Sequence, residues 1–248
     1  MTFEPIRIGN TVIRRTKSST SSSSAVYEIK NETSPHLLRS TSAIIASPTA
    51  IKATNVLTLH DYIKKNRHAT ELYVALDLVK DFGKQMQALI SSGWSIACMG
   101  INDVVVITHR ESDKFTHDSI NDVESTLGDA RMDPQFLFLN DHLMFEVDAD
   151  GTLFIDHALP NGNKPKHAFM SPELQHLLPS AASLPVQVHF KTIYYSAAQL
   201  FIYFLLNVDH VPDDDDRAYL NPIKYTKLYW FLLRCLNPVP ADRKYMYV

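Results

Sequence analysis

The stretch AFMSPEL, residues 168–174, divides the chain into two unlike parts. Before it runs PNGNKPKH, polar and loop-like. After it, beyond a proline-punctuated run, comes TIYYSAAQLFIYFLLN (192–207), apolar nearly all round. Ser171 and Pro172 are suited to start a helix, and Glu173 falls in its first turn, where a carboxylate suits the helix dipole. The fold turns on whether Glu173 only caps that helix or anchors it to a partner elsewhere.

With 248 residues, 45% of them hydrophobic and 21% charged, the chain is long enough for one large domain or a domain with a small appendage. A net charge of −3 gives no reason to expect nucleic acid as a partner. Cys98 and Cys235 lie far apart in apolar surroundings, which fits buried thiols in a reducing compartment. The first residues, MTFEPIRIGN, lack an apolar signal core, and the apolar run near Tyr194–Leu206 is short for a membrane span. We therefore expect a cytoplasmic protein with no membrane association.

Hydrophobic periodicity orders the rest. IRIGNTVIRRT and AVYEIKN read as strands around a Ser-rich loop, and AIIA as a short strand in an otherwise irregular stretch. TLHDYIKKN reads as a helix capped by Thr58. A longer helix over 69–91 keeps an apolar face through Leu72, Leu76, Val79, Phe82, Met86 and Leu89, and Ser92-Gly93 ends it. DVVVITH is a continuously apolar strand. Residues 109–135 read as an insertion, and FLFLNDHLMFEVDADGTLFIDHAL as a strand meander turning at DADG. Helices over about 192–207 and 224–237 follow. The expected class is α+β, with a β segment over 1–56 and a mainly helical domain over 57–248.

Several tempting motifs fail. The run from Glu146 to His157 matches a calcium loop loosely, but its twelfth position is His157 and its flanks are strands. Asp213–Asp216 reads as an acidic loop. No metal-ligand spacing, nucleophile elbow or phosphate loop occurs. More specific is CLNPVPADR, which sets Arg243 in a proline-bounded turn just after an amphipathic helix, suited to fork two bonds onto a buried carboxylate.

Here the chain resembles the protein kinases. C-L-x-x-x-P-x-x-R looks like the end of their C-terminal lobe, and SPEL like the Ala-Pro-Glu closing their activation segment. The resemblance implies that Glu173 pairs with Arg243 as a structural anchor. YYSAAQLFIYFLL resembles the family's central buried helix, with Ser196 in its Trp-Ser position. LHDYIKK and the 69–91 helix resemble the two helices preceding the catalytic loop. The likeness covers roughly residues 56–248, with the insertion near 109–135, behind a reduced β-rich N-terminal lobe.

The family's chemistry needs an Asp to orient the substrate hydroxyl, an Asn and an Asp for Mg²⁺, and a Lys on the phosphates. Aligning SIACMGINDVVVI puts Ile96-Ala97-Cys98 in place of His-Arg-Asp and Asp103 in place of the Asn. The family's loop-bracing Asp falls at Ile193, and the metal-binding Asp aligns with Asp156 of Asp156-His157-Ala158. AVYEIK resembles the strand bearing the phosphate lysine, with Lys30 its candidate. The resemblance thus implies a pseudokinase, an interaction or scaffold module with a protein partner and no cofactor, of the kind found in large DNA viruses. Two alternatives are an atypical active kinase, binding ATP and Mg²⁺ through Lys30, Asp103 and Asp156, and a viral structural protein of unrelated helical fold. A viral setting would place it in the host cytoplasm or the virion.

Overall fold

A computed structural model describes residues 4–18, 25–32, 49–66, 72–108, 134–159, 168–177, 184–208 and 217–245. The Ser-rich loop, the AIIA segment, most of the 109–135 insertion and Asp213–Asp216 lie outside these residues.

The fold is α+β. Strands β1 (Ile6–Ile8), β2 (Thr11–Ser18), β3 (Ala25–Asn31) and β4 (Thr49–Ala53) form an antiparallel sheet in sequence order. Strand β5 (Asn55–Thr58) leaves that sheet and runs into α1 (Leu59–Asn66). Thr58 caps α1: its hydroxyl oxygen accepts from the Asp61 N–H at 3.1 Å, and its O–H donates to the Asp61 carboxylate at 2.8 Å. Helix α2 (Leu72–Ser91) buries Val74, Ala75, Leu78, Val79, Phe82, Met86 and Leu89, the spacing of a single face. Its chain reverses at Gly93, whose φ of +78° suits glycine.

Strands β6 (Trp94–Ile96), β7 (Met99–Gly100), β8 (Val104–Thr108), β9 (Gln135–Phe138), β10 (Met144–Glu146), β11 (Thr152–Ile155), β12 (Ala168–Phe169) and β13 (Val186–His189) are short. Residues 135–155 are not the expected meander. Strand β9 pairs with β8, β10 with β6, and β11 with β13, so the segment stitches three small sheets together. Only the Val147–Leu153 bridge links β10's end to β11, across a turn where the Asp148 carboxylate accepts from the N–H groups of Asp150 and Thr152.

The three-stranded sheet β5-β8-β9 is buried on both faces, which explains why DVVVIT lacks alternation. Val104, Val106, Phe136 and Phe138 join the main helical core. Val105, Ile107, Leu137 and Leu139 face the other way and pack with Ile8, Ile13, Tyr27 and Ile29 of the N-terminal sheet. The far edge of β9 is closed by side chains of α2: Gln85 donates to the Phe136 carbonyl at 2.6 Å and accepts from the Phe138 N–H at 2.8 Å, and Asp81 accepts from the Phe136 N–H at 2.9 Å.

Helix α3 (Pro172–Leu177) starts with the proline at its first position. Helix α4 (Thr192–Leu206) is apolar all round because it is buried nearly all round, and Asn207 ends it in the left-handed conformation. Helix α5 (Lys227–Cys235) is capped by Thr226 and buries Leu228, Phe231, Leu232 and Cys235. Trp230, by its size a core residue, is 52% exposed instead. The chain then returns to α2, where the Tyr245 hydroxyl donates to the Val79 carbonyl at 2.6 Å and its ring packs edge-on against Phe231. Among the described residues no helix is long and apolar enough to cross a membrane.

Candidate functional site

Two polar clusters are built into this apolar framework. The first lies where the N-terminal sheet meets the β8–β9 hairpin. The tight turn Gly100–Asp103 places the Asp103 carboxylate inward: one oxygen accepts from the Gly100 N–H at 2.6 Å, the other from the Asn140 amide at 2.7 Å. Burial pushes the Asp103 carboxyl above its ordinary value, against the opposing effect of those two bonds. Cys98, just before β7, is buried, and burial with the nearby Asp103 charge pushes its thiol up to about 12. At neutral pH it is a protonated, inert thiol.

Asn140, two residues past β9, caps a short 3₁₀ turn, Asp141–Leu143, whose His142 N–H bonds back to the Asn140 side chain. Asp141 next to it reaches the N-terminal sheet. Its carboxylate accepts from the Asn10 N–H at 2.9 Å, from the Asn10 amide at 2.9 Å and from the Asn31 amide at 3.0 Å. Burial would push its carboxyl up, but these bonds and the neighbouring His142 outweigh it and hold the group below the usual carboxylate range. Thr11 donates to the Leu139 carbonyl at 3.2 Å.

The β1–β2 turn is fitted closely to this surface. Gly9 has φ of +55°, and a Cβ there would stand 2.5 Å from the Asp141 carboxylate and 2.7 Å from the Asn140 side-chain oxygen. The turn tolerates only glycine on both counts.

The second cluster joins α3 to the end of the chain. Arg243 is wholly buried and forks onto Glu173, with Nη1 2.5 Å from Oε1 and Nη2 2.9 Å from Oε2. Its Nε donates to the Asn237 carbonyl at 2.8 Å, and its guanidinium lies over the Tyr195 ring of α4 at 4.9 Å. Glu173 is pushed up by burial but pulled further down by Arg243, so it stays ionised. Beside it the Ser171 and Thr192 hydroxyls bond to each other, linking the start of α3 to the start of α4.

Of the residues singled out by sequence, Glu173 and Arg243 meet. Lys30, Asp103 and Asp156 sit in different surroundings. In β3 burial alternates, with Ala25, Tyr27, Ile29 and Asn31 inward, so Lys30 is exposed on the opposite face. It is Asn31 that reaches the junction. Asp156 is exposed and bonded to His157 Nδ1 at 2.7 Å. Asn10, Asn31, Asn140 and Asp141 escaped the sequence reading. The available signal was Asn140-Asp141 directly after the apolar run of β9, and Gly9-Asn10 between two strands. Among the described residues no three His, Cys, Asp or Glu side chains converge as a metal site. Compared with models of known protein families and with curated proteins, the sequence matches none.

Proposed function

We propose that this chain is a protein-kinase-like module that does not transfer phosphate and serves as an interaction or scaffold unit. What supports the family reading is order. A four-stranded sheet, two helices, a short loop, a strand hairpin, the Glu173–Arg243 fork and a buried central helix follow one another as in that family's two lobes. In the resemblance Cys98 stands five residues before Asp103, where a catalytic carboxylate would stand, and a buried protonated thiol cannot accept the hydroxyl proton.

The observation that carries the inactive reading is the seating of the β1–β2 turn. In protein kinases a glycine-rich turn of this hairpin covers the nucleotide phosphates. Here Asn10 is bonded directly to Asp141, and the sheet behind it packs its apolar side chains onto Val105, Ile107, Leu137 and Leu139. On this reading, a turn fastened by its own side-chain bonds and backed by an apolar interface leaves little room for a nucleotide, which favours a scaffold over a phosphotransferase.

One observation favours a second reading, an atypical active kinase. Asp103 and Asn140 lie side by side, a carboxylate bonded to an amide, and such a pair of oxygen-bearing groups is what an active site of that family would need near its metal. The two readings part in a melting experiment with and without ATP and Mg²⁺ or Mn²⁺. A ligand at 100 times its Kd stabilises by about 2.7 kcal/mol. The scaffold reading expects no shift at millimolar nucleotide; a clear metal-dependent shift would overturn it.

A further inference from the structure

The chain's charge is unevenly placed. From Arg217 to Val248 it carries six lysines and arginines against one aspartate, although the whole is at −3. Arg243 is taken by Glu173. Lys224, Lys227 and Arg234 are exposed on or beside α5. Lys227, Trp230 and Arg234 stand at i, i+3 and i+7, so they share one stripe, about 100° round the helix from the buried Leu228, Phe231 and Cys235.

Aromatic rings are presented on that stripe. With Thr226 as N-cap, Tyr225 and Trp230 fill the two places where a hydrophobic staple ordinarily closes a helix start. Both instead stay in solvent, at 78% and 52% exposure. Tyr225 is held at φ of +68°, rare for a bulky residue, by a turn in which the Thr226 N–H and O–H both bond the Ile223 carbonyl. The Lys224 ammonium lies 5.3 Å from the Tyr225 ring centre. An exposed tyrosine at a strained φ and an exposed tryptophan, with lysines beside them, are what binding surfaces use as anchors.

The geometry points to this face of α5 as a docking surface for an acidic protein segment carrying an apolar anchor, with Trp230 and Tyr225 gripping the anchor and Lys224 and Lys227 meeting the carboxylates. It rests on the reading of the chain as an interaction module. A second copy fits poorly, because two-fold pairing through this face sets its cations against themselves. Nucleic acid needs a longer basic track than one stripe on an acidic chain. A membrane needs a free apolar helix face, and that of α5 is already in the core.

The test is titration of the full chain, at low salt, with a synthetic peptide of glutamates bearing leucines at helical spacing, and with the same peptide carrying lysines for glutamates. The chain has two tryptophans, so a Trp94→Phe background leaves Trp230 as the reporter. The acidic peptide should shift Trp230 emission and bind about tenfold or more tighter than the basic one. By calorimetry, Trp230→Ala and the double change Lys224→Glu, Lys227→Glu should each weaken it by about tenfold or more, the loss of an interface anchor, with melting unchanged. Equal binding of the two peptides, binding indifferent to Trp230→Ala, or binding of an oligonucleotide or anionic vesicle in preference to the acidic peptide would overturn the assignment. None of these outcomes touches the nucleotide melting result, so the two readings fail separately.

Discussion

Asp141 accepts the backbone N–H of Asn10 at 2.9 Å across 131 residues of chain, and that bond fastens the first hairpin to the body of the fold. Together with the Asn10 and Asn31 amides it makes the Asp141 carboxylate the polar centre of an interface that is otherwise apolar. Removing the carboxylate strands the two Asn10 donors and takes away one acceptor of the Asn31 amide. We expect Asp141→Ala to cost about 1–3 kcal/mol or more, the penalty for stranded donors and acceptors. The loss should be local. Hydrogen exchange should rise in β1–β3 while α2 and α4 keep their protection. Uniform loss across the chain would mean that the junction is not a separable contact.

The same carboxylate sets an acid limit. Its folded pKa lies below its ordinary value, so the stability it contributes is present above the unfolded pKa and is lost as pH falls through the folded one. Glu173 acts in the same direction. Stability should therefore fall on acidification below the normal carboxylate range, and Asp141→Asn should flatten that fall. An unaltered acid transition in the variant would remove Asp141 from the account.

Gly9 and Gly93 offer a matched comparison. Both have positive φ, +55° and +78°, but a Cβ at Gly93 meets nothing within 4 Å, whereas at Gly9 it meets Asp141 and Asn140. Gly93→Ala should show the backbone cost alone, about 1–2 kcal/mol. Gly9→Ala should cost more and should loosen the same amides as Asp141→Ala. Equal melting temperatures for the two variants would show that the turn is not seated as described.

How much of this was readable beforehand differs by element. Helix α1 announces itself by its threonine cap, α2 and α5 by the spacing of their apolar faces, α4 by an apolar run too long for a strand, and Glu173 with Arg243 by two short motifs. Strand pairing is another matter. The β8 and β9 runs are apolar on both faces, so nothing in them says which side meets helices and which meets the N-terminal sheet. Parity decides Lys30: one residue along β3, Asn31 points inward and Lys30 does not. The junction escaped because its members are small polar residues beside turns, which look like ordinary turn chemistry until two distant turns are brought together. Trp230 is the exception in α5: it lies about 100° round the helix from Phe231, beside the buried face, and stays half exposed despite its size.

The Glu173–Arg243 fork should behave as a buried ion pair. Breaking one member leaves the other charge uncompensated, at a cost of about 3–5 kcal/mol. Glu173→Ala should be the more severe change because Arg243 is wholly buried, and Arg243→Lys should not rescue, since an ammonium cannot reproduce the two-pronged contact. Urea unfolding of Glu173→Ala, Arg243→Ala and Arg243→Lys checks this; wild-type midpoints in all three would show that the fork holds nothing together.

His157 gives the last expectation, opposite in sign to the carboxylates. Its Nδ1 lies 2.7 Å from the Asp156 carboxylate and its Nε2 3.1 Å from the His142 carbonyl. A neutral imidazole has one N–H and can satisfy only one of two such acceptors, so the geometry selects the imidazolium. The bond to Asp156 leads the causes that raise its pKa, with burial opposing, and the ring also stacks on Phe145. Because the folded pKa lies above the unfolded one, the stabilisation is complete below the ordinary histidine value and is lost as pH rises through the folded value. The pair is largely exposed, so solvent screening keeps the effect on stability small. The titration itself is the sharper readout. In an NMR pH series the His157 ring should titrate above a free histidine, and Asp156→Asn should bring it back down. A His157 pKa at or below that of free histidine in the unaltered chain would mean that one of its two acceptors is not engaged in solution.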